Sequence, residues 1–172
     1  MNYPILAYPA ERNIYNKTIG SLRVDNIASI VQEEFGFVVK KYPVESNGID
    51  MSFHDNNGEM LAALEVTNWR MFGFFNIDRR RRIIANLTQY PCTRLLIVSF
   101  IDNITESPST FSEDLEANHI RVIELGFQTQ PKEYFEWFHR YNPLVFEDCK
   151  TPNDPDVRST IKTKFRFLHE QK

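Results

Sequence analysis

The sequence has few cysteines, no excess of positive charge and no long hydrophobic run. Its two cysteines, Cys92 and Cys149, are far apart, which excludes a disulfide framework, a structural zinc site and thioredoxin-type chemistry. We expect both to be reduced. No apolar run approaches the roughly eighteen residues that span a bilayer, and the N-terminal segment has two prolines and no apolar signal core. We therefore expect a cytoplasmic protein with no membrane partner.

Charge and length restrict the function classes further. The 20 Lys and Arg residues are outnumbered by 23 Asp and Glu residues, which excludes a histone-like polycation, so any contact with nucleic acid must come from a local basic patch. With 172 residues, 42% of them hydrophobic, the chain suits one domain of ordinary size. We predict an irregular arm over 1–20, a domain over 21–150 and a C-terminal amphipathic helix over 151–172.

Hydrophobic periodicity predicts an α/β domain with a central mixed sheet flanked by helices. Apolar residues recur at helical spacing up to Phe35, and Asn57-Gly58 predicts a two-residue type I′ turn between two strands. The uninterrupted apolar run in the strand that begins at Arg94 is typical of a parallel strand buried on both faces. The predicted helices cover 24–35, 77–90, a short segment near 111–118, and a segment around 134–138; the predicted strands cover 37–42, 48–54, 59–68, 94–100 and 120–125.

The last predicted helix has its own start signal and two contrasting faces. Asp154 is the expected N-cap and Pro155 the first helical residue. The apolar stripe consists of Val157, Ile161, Phe165 and Leu168, and the basic face consists of Arg158, Lys162, Lys164 and Arg166. The helix could dock on the domain, pair with a second subunit in a homodimer or lie near a polyanion. Of these three alternatives, we expect docking of the helix on the domain.

Two acidic residues are predicted to face each other across the hairpin. A two-residue turn sets Asp50 directly opposite Glu65, and Ser52 and His54 share the Asp50 face because side chains alternate along a strand. A four-residue loop would keep the two acids on one face, whereas a three-residue loop with a bulge would separate them. Opposed carboxylates repel unless one is protonated or a cation lies between them. Such oxygen ligands suit Mg²⁺ or Mn²⁺, and the matching reaction class is metal-assisted phosphodiester hydrolysis.

The motifs GID at Gly48–Asp50 and LEVT at Leu64–Thr67, together with the order of the elements, resemble the PD-(D/E)XK nuclease superfamily. This superfamily includes Mrr-type restriction enzymes and archaeal Holliday-junction resolvases. The resemblance implies a restriction-endonuclease-like αβββαβ core over about residues 20–126, with Asp50 and Glu65 as metal ligands. It also implies an acid on the first helix, which here is Asp25. The family's lysine position is occupied by Thr67, whose hydroxyl can bond water but supplies no positive charge.

A basic run on the predicted second helix can supply the missing cation. A helical wheel places Arg80 with Ile77, Ile83, Ile84 and Leu87, facing the sheet, and places Arg79 and Arg82 toward solvent. Arg80 is therefore the predicted substitute for the lysine, with Arg70 and Lys40 as alternatives. The residues expected to contact nucleic acid are Arg79, Arg81, Arg82 and Arg70. The expected function is a Mg²⁺- or Mn²⁺-dependent nuclease acting on DNA; the alternative is an inactive nuclease-like module that binds nucleic acid or serves in assembly.

Overall fold

The structure is a computed structural model that describes residues 9–43, 48–67, 77–100, 111–129 and 149–170, with side chains from Ser21 onward. The helices in this part of the chain are α1 (Pro9–Phe35), α2 (Ile77–Thr88), α3 (Phe111–Ala117) and α4 (Pro155–Glu170). The strands are β1 (Val38–Lys41), β2 (Met51–His54), β3 (Met60–Val66), β4 (Thr93–Val98), β5 (Ile120–Glu124), β6 (Gln128–Thr129) and β7 (Cys149–Lys150). The predicted helix around 134–138 lies outside the described residues, as does Arg70.

The main sheet is mixed, as the sequence predicts. Its strand order is β1-β2-β3-β4-β5. The β1–β2 and β2–β3 pairs are antiparallel, and the β3–β4 and β4–β5 pairs are parallel. Residues 95–98 of β4 are all fully buried, which confirms the prediction of a parallel strand covered on both faces. The short strands β6 and β7 pair separately and were not predicted.

Helices cover both faces of this sheet, so the described chain is an α/β fold with three layers. One core cluster joins apolar residues of α1 and α4 to one face, including Val31, Leu64 and Phe165. The other joins residues of α2 and α3 to the opposite face, including Leu87 and Leu96. The side of the sheet that a residue faces therefore determines which helices it meets.

The N-terminal prediction is wrong in part. Residues 9–20, expected as an irregular arm, belong to α1, which begins at Pro9 and continues without a break to Phe35. Proline at the first helical position costs no intrahelical hydrogen bond, because the first amides have no partner in any case. The predicted end is confirmed: Gly36 has φ +70°, and its amide donates to the Gln32 carbonyl at 3.0 Å, as expected of a left-handed residue after a helix.

Helix α4 docks on the domain through its apolar stripe. The Asp156 amide donates to Asp154 Oδ1 at 2.9 Å, so the predicted cap is confirmed. The stripe residues are all buried in the core that α4 shares with α1: Val157, Ile161, Phe165 and Leu168. On the basic face, Arg158 pairs with Glu33 and Glu34, and Lys162 also pairs with Glu34 at 3.3 Å. None of the helices in the described ranges is long and apolar enough to cross a membrane.

Candidate active site

The β2–β3 hairpin brings the side chains of Asp50 and Glu65 into contact on one face, as the sequence predicts. Met51 at the start of β2 pairs with Leu64, and the Asp50 amide donates to the Leu64 carbonyl at 3.0 Å. Asp50 therefore lies beside the end of β3, where Glu65 follows Leu64. Met51 follows Asp50 in the chain and Leu64 precedes Glu65, and both of these neighbours pack on the α1 side. Because side chains alternate along a strand, Asp50 and Glu65 project from the face that α2 covers.

The turn that joins these strands differs from the prediction. A type I′ turn needs positive φ at both central residues, but of the pair Asn57-Gly58 only Gly58 has one, at +84°. The Asp55 amide donates to the Glu59 carbonyl at 2.9 Å, and the Gly58 amide donates to the Asp55 carbonyl at 3.1 Å. Three residues, 56–58, thus separate the paired ends. By itself this loop would turn the two acids to opposite faces.

A β-bulge restores the register. His54 pairs with Met60 but Phe53 pairs with Ala62, so that Leu61 is the extra residue. The bulge adds one residue to β3 and cancels the one-residue slip introduced by the loop. It also changes the faces near the turn: Leu61 packs with the α1 core and Met60 with the α2 core, the reverse of strict alternation. The predicted contact between the carboxylates is correct, but two expectations are wrong. The turn has three residues rather than two, and this three-residue loop with a bulge keeps the acids on one face instead of separating them.

The two acidic side chains are held by defined contacts. Glu65 is 8% exposed and accepts a hydrogen bond from Asn86 Nδ2 at 2.9 Å. The same Asn86 nitrogen donates to the Gly48 carbonyl at 3.3 Å. Asp50 accepts the Val66 amide at 2.6 Å on Oδ2, and a side-chain hydrogen bond joins the Asp50 and Glu65 carboxyl groups. Such a bond requires one of the two groups to carry a proton.

Burial and mutual repulsion keep that proton on Glu65. Burial is the largest cause that raises the pKa of Glu65, repulsion by Asp50 is the next, and together they bring it to about 8. The Asn86 hydrogen bond acts in the opposite direction. Burial also raises the pKa of Asp50, while the Val66 amide and the hydrogen bond from Glu65 oppose the rise. Near neutral pH the pair therefore shares one proton, the arrangement expected of two carboxyls that face each other.

Arg79, rather than Arg80, is the arginine beside this pair. Arg79 is half-buried; burial lowers the pKa of its guanidinium, and the charges of Glu65 and Asp50 act to raise it. The Arg80 guanidinium instead lies over the Phe111 ring, 5.5 Å from the centroid, in a cation–π contact. The expectation that Arg79 points to solvent is therefore wrong.

The exposure of Ile77 explains the error of the helical wheel. Ile77 is 60% exposed, so counting it as a core residue moves the expected buried face toward Arg80. The fully buried Ile83 defines the inner face better. Arg79 precedes Ile83 by four residues and Asn86 follows it by three, which places all three on one side of α2. This spacing was the signal that could have identified both Arg79 and Asn86.

Thr67 has a structural role in this arrangement. Its side chain is fully buried, and its hydroxyl donates to the Ile97 carbonyl at 2.9 Å. The Thr67 amide donates to the same carbonyl at 3.0 Å. Both groups therefore bind the neighbouring strand β4, and the hydroxyl hydrogen is not available to orient a water molecule.

Asp25 does not join the acidic pair. It is exposed and forms a salt bridge with Lys41 at 2.9 Å. It lies on α1, whose buried residues pack on the opposite face of the sheet. Among the described residues, no group of three or more His, Cys, Asp or Glu side chains is placed to hold a metal ion. The expected third ligand is therefore wrong, and the candidate donor set is Asp50 with Glu65.

This two-carboxylate set fits Mg²⁺ or Mn²⁺. These ions bind through one or two protein carboxylates and take their remaining ligands from water and phosphate. A cation between the two groups would remove the repulsion that raises the pKa of Glu65. The donors are hard oxygen atoms and already lie in contact, so binding requires loss of the shared proton rather than a change of fold.

No family model, curated protein or solved structure matches the chain. The geometry of the Asp50–Glu65 pair and the residues around it are therefore the basis for assigning a function. Of the predicted nucleic-acid contacts, Arg81 and Arg82 are exposed on α2, on the helix that carries Arg79.

A second polar network adjoins the carboxylates on the same face. Ser52 Oγ is 2.7 Å from His54 Nε2 and 2.9 Å from the Tyr42 hydroxyl. His54 Nδ1 is 3.4 Å from the Gly58 carbonyl. The predicted placement of Ser52 and His54 on the Asp50 face is confirmed. The contribution of Tyr42 was missed, because it depends on the pairing of β1 with β2.

Proposed function

We propose that this chain is a divalent-metal-dependent nuclease that hydrolyses phosphodiester bonds in DNA, on a core of the restriction-endonuclease-like type. The observation that carries the proposal is the hydrogen-bonded contact between Asp50 and Glu65 on one face of the β2–β3 hairpin. Placing two carboxyl groups in contact away from water is unfavourable. Such pairs are concentrated at functional sites, where a bound cation or a transferred proton uses the perturbed pKa.

Asp50 and Glu65 are the residues that would hold Mg²⁺ or Mn²⁺. When bound, the ion would supply Lewis-acid activation of water and of a phosphoryl oxygen. The neighbouring residues fix the two carboxyl groups in place: the Val66 amide holds Asp50, and Asn86 holds Glu65. Groups that orient a metal ligand in this way limit the number of conformations it can adopt.

Arg79 takes the cationic role that the family assigns to the lysine at the Thr67 position. Its charge already acts on Asp50 and Glu65, so it lies where a phosphate bound to the same cation would carry its negative charge. Arg81 and Arg82 are exposed two and three residues after Arg79 on the same helix and are suited to contact backbone phosphates. We propose Arg80 only as an outer contact, because its guanidinium lies over Phe111.

Cleavage of supercoiled plasmid DNA in the presence of Mn²⁺ or Mg²⁺ tests the proposal. Asp50→Asn and Glu65→Gln keep the size of each side chain but remove its negative charge. We expect each to lower the cleavage rate by more than about 100-fold, since even residues that only orient metal ligands contribute about 10- to 100-fold. Glu59→Gln, at an exposed position of the same hairpin, is the matched control and should cleave normally. Equal rates in Glu65→Gln and Glu59→Gln would contradict the proposal.

One observation favours the inactive module as a second candidate. Thr67 replaces the family's lysine, and its hydroxyl is bonded to the Ile97 carbonyl. An inactive module would bind DNA in EDTA, with an affinity that falls steeply as salt increases. It would show no cleavage, and Mn²⁺ would not raise its melting temperature. The same protein preparations distinguish the two candidates.

A further inference from the structure

Arg23 is a charged side chain buried completely within the fold. It lies on α1, is 1% exposed and is among the largest fully buried side chains of the described chain. Its Nη1 donates to the Thr67 carbonyl at 2.6 Å and to Ser99 Oγ at 2.7 Å. Thr67 directly follows β3 and Ser99 directly follows β4. The guanidinium therefore lies at the carboxyl ends of two adjacent parallel strands, the edge of the sheet along which open α/β folds bind ligands.

The other edge of this guanidinium has no partner in the described part of the chain. Nε and Nη2 of Arg23 are both buried, and neither forms a hydrogen bond there. These two N–H groups point in parallel and match two oxygens of one carboxylate or phosphate group. Leaving two buried N–H donors of a cation without acceptors is costly, so an anion bound at this edge would be stabilised.

The described surroundings of Arg23 supply no acid. The titratable group whose charge acts on Arg23 is the Cys149 thiol, and the Arg23 hydrogen bonds in the described ranges go to a carbonyl and a hydroxyl. Burial lowers the pKa of Arg23 to about 10, so the side chain is still charged near neutral pH. The charge is thus retained although the described chain does not neutralise it.

We propose that the Nε and Nη2 edge of Arg23 binds a phosphate group, either as inorganic phosphate or as the terminal group of a nucleotide. Near neutral pH a phosphate monoester carries about 1.5 to 2 negative charges, and inorganic phosphate also carries more than one, so either offsets a buried cation more fully than a monovalent carboxylate does. The site needs no metal ion. It is also independent of Asp50 and Glu65, because Arg23 approaches the strand ends from α1, whereas those two side chains face α2.

Thermal unfolding of the whole chain in EDTA tests this site, with ionic strength held constant by potassium chloride. Millimolar inorganic phosphate should raise the melting temperature by a few degrees, increasing with its concentration. Acetate at the same concentration should not. Deoxyadenosine monophosphate and deoxyadenosine are compared in the same way to distinguish a nucleotide from free phosphate. A rise in melting temperature with the monophosphate alone assigns the site to a nucleotide. A rise with inorganic phosphate shows that the free anion suffices.

Arg23→Lys keeps the positive charge but removes the two parallel N–H groups, so it should lose the response to phosphate. Arg158→Lys, at an exposed position on α4, should retain it. Because Arg23→Lys could fail to fold, isothermal titration of the unaltered protein with phosphate is the second measurement. Absence of both heat and a temperature shift in the unaltered protein overturns the proposal, as does an equal response to acetate. Neither result depends on whether the protein cleaves DNA.

Discussion

The proton held by Glu65 links the stability of the fold to pH. Because burial and Asp50 raise the pKa of Glu65 from 4.5 to about 8, the folded chain holds this proton more tightly than the unfolded chain does. The stabilising contribution is complete below the unfolded pKa. It declines as pH rises and is lost as pH passes through the folded pKa. Burial shifts the pKa of Asp50 in the same direction.

We therefore expect the metal-free protein to lose stability between about pH 5 and pH 8, by up to about 1.4 kcal/mol per pH unit for one such group. Glu65→Gln should flatten this dependence, because its amide does not titrate. Urea unfolding at several pH values measures the effect. Affinity for Mn²⁺ should change in the opposite direction and increase with pH, since binding displaces the proton. If the unfolding free energy of Glu65→Gln depended on pH as strongly as that of the unaltered protein, Glu65 would not be the source of the pH dependence.

Arg79 and Arg80 are adjacent residues with different surroundings, so substituting each separately tests the assignment of the cation. Arg79→Ala should lower Mn²⁺-dependent cleavage by about 100-fold, because a positive charge aimed at the reacting phosphate contributes several kcal/mol. Arg80→Ala should retain most of the activity, since it removes a contact with Phe111. Cleavage rates at saturating DNA measure both. A large loss of cleavage in Arg80→Ala with a small loss in Arg79→Ala would assign the cationic role to Arg80 instead.

Individual side chains differed in how far the sequence could predict them. Asp50 and Glu65 were predicted because strand alternation and pairing depend on local spacing. Arg79 was misassigned, although its spacing from Ile83 contains the correct answer. Arg23 could not be predicted, because its burial depends on Thr67 and Ser99, which are far from it in the chain and meet it only in the folded sheet.

At the scale of single elements, the hairpin shows two departures from regular geometry that cancel. The three-residue turn shifts the register by one residue, and the bulge at Leu61 shifts it back. The turn depends on Gly58, whose φ of +84° is unfavourable for residues that have a Cβ atom. Asp55 supports the turn by accepting the Asn57 and Glu59 amides, each at 2.9 Å.

Gly58→Ala should therefore destabilise the protein by about 1 kcal/mol, because alanine is strained at this backbone conformation. Gly48→Ala is the matched control. Gly48 lies outside the left-handed region, and an added Cβ there would have no atom within 4 Å, so we expect a change of less than about 0.5 kcal/mol. Urea unfolding at constant pH compares the two variants. An equal loss in both would show that the conformation of Gly58 is not the cause.

Elements with strong, regular patterns were predicted well. The run of buried residues in β4 and the cap and stripe of α4 each contain enough local information to specify the element. The first half of α1 does not, because Pro4, Pro9 and irregularly spaced apolar residues obscure its helical period. Strands β6 and β7 contain two residues each and exist through their pairing with each other, which no local pattern specifies.

At the scale of the whole molecule, α1 and α4 form one layer even though they lie at opposite ends of the described chain. Phe165 on α4 is fully buried and meets Phe53 of β2 with ring centroids 5.8 Å apart. Arg158 joins the same two helices only through exposed ion pairs with Glu33 and Glu34. Apolar packing therefore dominates this interface, since exposed ion pairs are screened by water and salt.

Phe165→Ala should cost about 3 to 5 kcal/mol of unfolding free energy, because it leaves a cavity in the core. Arg158→Ala should have a much smaller effect, and adding salt should reduce it further. Denaturant unfolding at low and high salt measures both. If Arg158→Ala proved as costly as Phe165→Ala, the helix would be held by charge rather than by packing.

The position of α4 also affects when the protein can fold during synthesis. Val31 of α1 and Leu64 of β3 share their core with Leu168, a residue that leaves the ribosome long after they do. Until then this side of the nascent sheet is exposed to water and to other chains. Final compaction must therefore follow synthesis of α4. Ribosome-bound chains that end before Pro155 should be sensitive to proteases and prone to aggregation.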